Sequence, residues 1–394
     1  VISEHALREK FLEQIQIDFP AFSAQDVAEQ LGPLVSDQLL SPFHISLPKK
    51  VLQQAQAFVK AAFQLRQMKS YTSLFADELK RLQLQEPGNN SILMSYDFHL
   101  DSTGQLKLIE INTNASFLAL SDVMYKVHRL PTPIPDFNMQ EIQSNILQEL
   151  QLNGAPTPSD LSIAIIDENP QEQKLFAEFL LYAEHFKSWG WKPVIADFRK
   201  LPGHFDFIYN RTTDFLFSES ASSHLRELLN SRKSTISPNP LEYIYLASKS
   251  RIVEWSQPGF LQSVGLSPEM TETLLSALPR SFILNSTNAA EVWAQKKQLF
   301  FKPLQSFGSK QTYRGSKITK KTFEEISSQD FLAQEYVAPS EVEQETPTGP
   351  QNFKYDLRFY AYQDRVQSVI ARIYQGQVTN LRTPLGGFAC VKIQ

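Results

Sequence analysis

LIEINTNAS (108–116) and FFKPLQSFGSKQTYRG (300–315) are the two stretches whose order along the chain decides the fold. In the first, strand alternation puts Glu110 and Asn112 on one face. A carboxylate and an amide oxygen two residues apart are hard ligands suited to Mg²⁺. SILMSYDFHL (91–100) reads as the preceding strand, and a turn through Ser102–Gly104 would bring Asp97 roughly opposite Glu110, the exact register being left open by the sequence. A solvated polar strand end is the plainer alternative. In the second stretch a strand led by two aromatics ends in Lys302, and small residues follow. Such a loop can offer backbone N–H groups and a compact charge to phosphate oxygens. The plainer alternative is an ordinary hairpin with Lys302 reaching for solvent. The Walker pattern is absent, which excludes a P-loop NTPase.

Outward from these stretches, residues 1–90 read as helical, and VLQQAQAFVKAAFQLRQM (51–68) carries the helical apolar period. Residues 91–150 hold the hairpin with the candidate metal ligands and a Pro-rich connection. Residues 155–245 alternate strand and helix, from LSIAIID through FDFIYNR to STISPNP, and predict a small parallel sheet with covering helices. No G-x-G-x-x-G follows its first strand. Residues 246–394 return to strands: LFFKPL, FLAQEYV, KYDLRFYAYQ and RVQSVIARIY. SEVEQETPTGPQN (340–352) reads as an acidic mobile loop.

Composition narrows the function classes. The 394 residues suffice for two or three domains, and a formal charge of −4 gives no basic footprint for nucleic acid. Lys310, Arg314, Lys317, Lys320 and Lys321 therefore read as a solvated face beside the phosphate loop. No apolar run of about 18 residues predicts a membrane span. The seven His residues show no zinc spacing. The single Cys390 and the absence of a signal-like apolar run in VISEHALREKF fit a reducing, cytoplasmic setting. FLAQEYV (331–337) is either a linker whose backbone reads an adenine edge or a plain buried strand. Asp356, Arg358, Arg372 and TNLRTPLGGFA (379–389) place charges at strand ends, where arginines can clamp a carboxylate or phosphate.

Taken in order, these segments resemble the ATP-grasp ligases, in the circularly permuted arrangement of the eukaryotic-type glutathione synthetases. The resemblance covers roughly residues 90–394 and rests on SYDFHL with LKLIEINTNASF, FDFIYNR, LASKSRIVEWSQPG, the Lys302 strand and LRTPLGGFA. It implies an α/β (α+β) ATP-grasp fold with an inserted α/β substrate domain, ATP and Mg²⁺ as cofactors, and small-molecule carboxylate and amine substrates. It implies that Glu110 and Asn112, with Asp97, hold the metal. Lys249 and Lys302 would contact phosphates, under a loop of Gly308, Ser309, Lys310 and Tyr313. Gln334, Glu335, Tyr336 and Val337 would face the adenine. Asp356, Arg358, Arg372 and Asn380 would complete the nucleotide side. Ser116, Arg211, Arg382, Gly386 and Gly387 would line the substrate site, with Lys302 and Arg382 closest to the chemistry. A homodimer is compatible with this picture.

The chain departs from the family pattern at three positions. Ser306 stands where the family has a metal-binding Glu, so that Asp97 or Asp356 would take that role. Ser95 replaces a substrate arginine, and Pro384 replaces a lysine. The implied reaction is phosphorylation of a carboxylate by ATP followed by amine attack, with residues 307–315 or 340–352 closing over the intermediate. Glutathione synthetase itself, a kinase without ligation, and a non-catalytic nucleotide-binding protein remain as alternatives.

Overall fold

The computed structural model describes residues 2–304, 311–329 and 331–394. In chain order the strands are β1 (Leu40–Leu47), β2 (Met94–Leu100), β3 (Leu106–Asn112), β4 (Ser162–Asp167), β5 (Lys192–Asp197), β6 (Phe207–Asn210), β7 (Thr235–Ser237), β8 (Ser281–Leu284), β9 (Leu299–Pro303), β10 (Tyr313–Arg314), β11 (Phe331–Glu335), β12 (Ser340–Thr346), β13 (Gly349–Tyr362), β14 (Arg365–Tyr374) and β15 (Gly387–Ile393). They form three sheets. The large one runs β1-β15-β14-β13-β2-β3, with β12 paired to β13.

Period-two alternation sorts the large sheet into an apolar and a polar face. Tyr96 and Phe98 of β2 turn to the helix Lys49–Gln67, where both rings meet Phe58 at 6.1 and 5.3 Å. That helix places Val51, Ala55, Phe58, Val59, Ala62 and Leu65 on the covered side. Asp97 therefore points the other way, and its pleat partners Glu110 on β3 and Arg358 on β13 share that face.

The second sheet, β5-β4-β6-β7, is parallel throughout, as the strand–helix alternation predicts. The third, β10-β9-β11-β8, is antiparallel. One of its faces packs Phe301, Ala333 and Leu284 against the helices Ala289–Gln295 and Lys320–Ser327, through Val292, Phe323 and Ile326. The helix Lys320–Ser327 starts at Thr319, whose side chain accepts from the Thr322 N–H. Alternation leaves Phe300, Lys302 and Gln334 on the opposite face.

Two expectations are corrected. The N-terminal region is not purely helical, because β1 lies within it and pairs in parallel with β15 at the far end of the chain. Phe43, Ile45 and Leu47 are buried while His44 and Ser46 are exposed, a strand pattern that local reading overlooked between helical neighbours. The segment 340–352 is no loop. Ser340–Thr346 folds back on Gly349–Tyr355 in an antiparallel ladder, with Val342 packed on the core and Glu341, Glu343 and Glu345 exposed. No described helix is long and apolar enough to cross a membrane.

Candidate functional site

The third sheet faces the polar side of the large one, and Lys302 spans the gap. Its Nζ donates to the Ile109 carbonyl at 3.1 Å and to Gln334 Oε1 at 2.9 Å. Lys302 thus reaches the residue next to Glu110 across a separation of 193 positions. Burial pushes the Lys302 ammonium down to about 8, against the attraction of Glu110 and with Lys249 adding repulsion. Burial also lowers Lys249, again opposed by Glu110. Lys249, Lys302 and Glu110 therefore lie close enough to feel one another's charge in partly buried surroundings.

The Asp97–Glu110 pairing proposed from the hairpin is present, yet the two carboxylates differ in role. Asp97 is fully buried. Its Oδ1 accepts from Arg358 Nε at 2.9 Å and Ser95 Oγ at 3.2 Å, and its Oδ2 from Arg358 Nη2 at 2.7 Å, Arg372 Nη2 at 2.9 Å and Asn112 Nδ2 at 3.2 Å. Burial alone would raise its pKa, but the two guanidiniums outweigh it and hold the carboxyl below the usual range. Asp356 is likewise occupied, by Arg372 Nε at 2.6 Å and Thr379 Oγ1 at 2.6 Å. These are internal ion pairs, so Asp97 and Asp356 are not open metal ligands, and Arg358 and Arg372 hold carboxylates of the chain itself. Glu110 is half-buried and, among the described residues, forms no ion pair. Asn112 turns its amide nitrogen to Asp97 and Glu110, leaving Oδ1 as its free hard ligand. Glu110 and Asn112 thus fit Mg²⁺.

The adenine-linker candidates follow the end of β11. Gln334 is buried, donating to Ser281 Oγ while accepting from Lys302. Glu335 is exposed and takes the Arg280 N–H. The Glu335 and Tyr336 N–H groups donate to Arg280 and Gln298 carbonyls at 2.7 and 2.8 Å. Tyr336 lies under the Arg314 guanidinium, 4.2 Å from the ring centroid, and beside Phe300. Val337 offers its carbonyl to His99 Nδ1 at 3.1 Å. His99 escaped the sequence reading. Its signal was available, since it sits two residues from Asp97 and hence on the same face. Tyr313 is half-buried on β10, while Gly308, Ser309, Lys310 and Ser306 lie outside the described residues.

Of the substrate candidates, Ser116 and Arg211 come together. Arg211 Nη1 donates to the carbonyls of Asn114 and Ala115 at 2.5 and 2.9 Å, and Nη2 bonds the Ser116 hydroxyl. This joins the C-terminal end of β6 to the segment after β3. Asn114 returns the link through the Arg211 and Thr212 carbonyls. Two unforeseen residues buttress the same corner: Tyr360 donates to the Ser116 carbonyl at 2.6 Å, and Glu178 accepts from the Phe117 and Ala119 N–H groups. Arg382 stands apart on an exposed loop, whose shape is set by Asn380 accepting from the Arg382 N–H and by Thr379 on Asp356. Gly386 and Gly387 are packed against backbone. A Cβ on Gly387 would meet the Gln38 and Leu39 carbonyls at 2.5 and 2.6 Å, so their small size serves chain packing beside β1.

No protein-family model matches the chain, and no curated protein matches it either. Solved structures do. A glutathione synthetase-like effector from Globodera pallida, in its apo form, is 12% identical, with 100% of this chain and 98% of that one covered and a TM-score of 0.59. A putative gamma-glutamylcysteine synthetase from Methylobacillus flagellatus KT is 10% identical over 83% and 84% of the two chains, at a TM-score of 0.42. The ATP-grasp ligase PsnB bound to a minimal precursor is 15% identical over 56% and 78%, at 0.31. The last two superpose too loosely to bear on the argument. The first spans both chains, and this chain has the fold of that glutathione synthetase-like effector along its whole length.

Proposed function

We propose that the chain is an ADP-forming ligase that activates a carboxylate with ATP and joins it to an amine. The observation that carries this reading is the Lys302 Nζ contact with the Ile109 carbonyl, which sets the phosphate lysine and the Glu110–Asn112 pair on two sides of one cleft. The reading includes the permuted order, with the metal strand ahead of the lysine strand. The segment Gln334–Val337 would border the base. Lys249 and Lys302 would neutralise the phosphates. Magnesium on Glu110 and Asn112 would supply charge stabilisation between phosphate oxygens. A substrate carboxylate oxygen attacks the γ-phosphorus and ADP departs. The amine nitrogen then attacks the acyl carbon, phosphate leaves, and the amine loses a proton. Arg382 would hold a substrate carboxylate and Arg211 with Ser116 the other end of the substrates. The small parallel sheet, with its Arg211 corner, would select the acceptor.

A coupled ADP-release screen with amino acids and short peptides tests the reading. ADP release that requires both a carboxylate and an amine is expected. ADP release with the carboxylate alone would make the protein a kinase, and no ATP consumption with any pair would sink the proposal.

A further inference from the structure

We infer that the nucleotide site holds a single divalent cation, bound by Glu110 and Asn112, because its neighbouring carboxylates are committed to arginines. This rests on the nucleotide-binding reading above and specifies its metal stoichiometry.

Three acids share this face of the large sheet: Asp97, Glu110 and Asp356. Asp97 accepts five hydrogen bonds, three of them from Arg358 and Arg372, while a carboxylate offers about four lone-pair sites. Drawing Asp97 onto a metal would strand the buried Arg358, and removing one partner of a buried pair is strongly unfavourable. Asp356 holds Arg372 and Thr379 on its two oxygens. Thr379 also ties the Arg382 loop to the sheet, so freeing Asp356 would loosen that loop. In sequence, residues 305–310 contain no acid. Among the described residues no group of three His, Cys, Asp or Glu side chains is placed to hold a metal.

Glu110 and Asn112 remain. One Mg²⁺ is content with one carboxylate, an amide oxygen, phosphate oxygens and water. Lys249, Lys302 and Arg372 lie close enough to Glu110 to feel its charge. Fixed cations therefore do the work that a second metal would do.

The test counts metal ions directly. Mn²⁺ replaces Mg²⁺, a non-hydrolysable ATP analogue is held under saturating protein, and free Mn²⁺ is read by electron paramagnetic resonance. One bound Mn²⁺ per bound nucleotide is expected. Two would overturn the inference and leave nucleotide binding intact, and nucleotide bound without any Mn²⁺ would overturn it too. No nucleotide binding by equilibrium dialysis would remove the underlying reading with it. Glu110→Gln should weaken the Mn²⁺ at least about tenfold, the loss of an anionic ligand from a site with few. Arg372→Met frees oxygens on both Asp97 and Asp356. With its fold verified by circular dichroism, it should gain a second Mn²⁺, and a count still at one would refute the role given to the arginine. The wild-type count decides the stoichiometry even if that variant does not fold.

Discussion

Replacing Asp97 with Asn removes a negative charge that two buried guanidiniums share. Arg358 forms a two-pronged pair with it at 2.9 and 2.7 Å, and Arg372 adds a third charged bond at 2.9 Å. The Asn side chain keeps one acceptor and presents an N–H₂ to donors, so at least one arginine N–H loses its partner. Leaving a buried cation uncompensated costs about 3–5 kcal/mol. Arg372 retains Asp356, which softens its share, so the loss should fall largely on Arg358. The assay is urea unfolding of the metal-free, nucleotide-free protein, followed by circular dichroism. Glu110→Gln is the control. Glu110 is half-buried outside any ion pair among the described residues, and its substitution should cost less than about 1 kcal/mol in the same assay. The two variants should exchange ranks when Mg-dependent nucleotide binding is measured, with Glu110→Gln suffering the direct ligand loss. The pH dependence has a defined sign. Asp97 is held below its ordinary carboxylate range, so its stabilisation is full above about pH 4 and is lost as pH falls through the lower folded value. An Asp97→Asn protein within about 1 kcal/mol of wild type without ligands, but deficient in Mg-dependent binding, would refute the ion-pair assignment and restore Asp97 as a metal ligand.

Lys302 sits near pH 8, so affinity for Mg·ATP should fall as pH rises from about 7 to 9.5 and the ammonium loses its proton. Lys302→Arg, always charged, should show weaker but pH-independent binding by calorimetry over that range; a parallel fall in both proteins would assign the titration elsewhere. Arg382→Ala should raise the KM for the carboxylate substrate by the equivalent of about 2–4 kcal/mol while ATP affinity stays within about twofold, since its loop is exposed and set by Asn380 and Thr379; equal damage to ATP binding would move Arg382 to the nucleotide side. Gly387→Ala should lower stability by about 2 kcal/mol or more, because φ is +100° and the new methyl meets two carbonyls of the chain near β1; a normal melting temperature would show that the β1–β15 edge can shift to admit it.

Local sequence carried much of this architecture. Alternation in SYDFHL and LKLIEIN marked the hairpin, and the turn DSTG set a pairing that brings Asp97 against Glu110. The β-α-β rhythm of 161–237 foretold a parallel sheet, since apolar runs between helices bury both strand faces. Lys302 was legible as a strand-end charge before a run of small residues, and Gln334 came from the family resemblance; both fall on the face opposite the helix-packed Phe301 and Ala333. What sequence by itself determined, then, is which residues share a face of one element. Which faces meet was decided by tertiary structure. A residue's partners across 193 or 261 positions leave no local period, so Lys302 on Ile109 and Arg358 on Asp97 were invisible as contacts. The same gap hid the two arginines that hold Asp97 and hid β1, whose partner β15 lies at the opposite end of the chain. Charge type is written in the residue, but whether a carboxylate is free for a metal depends on which cations the folded chain has already placed beside it.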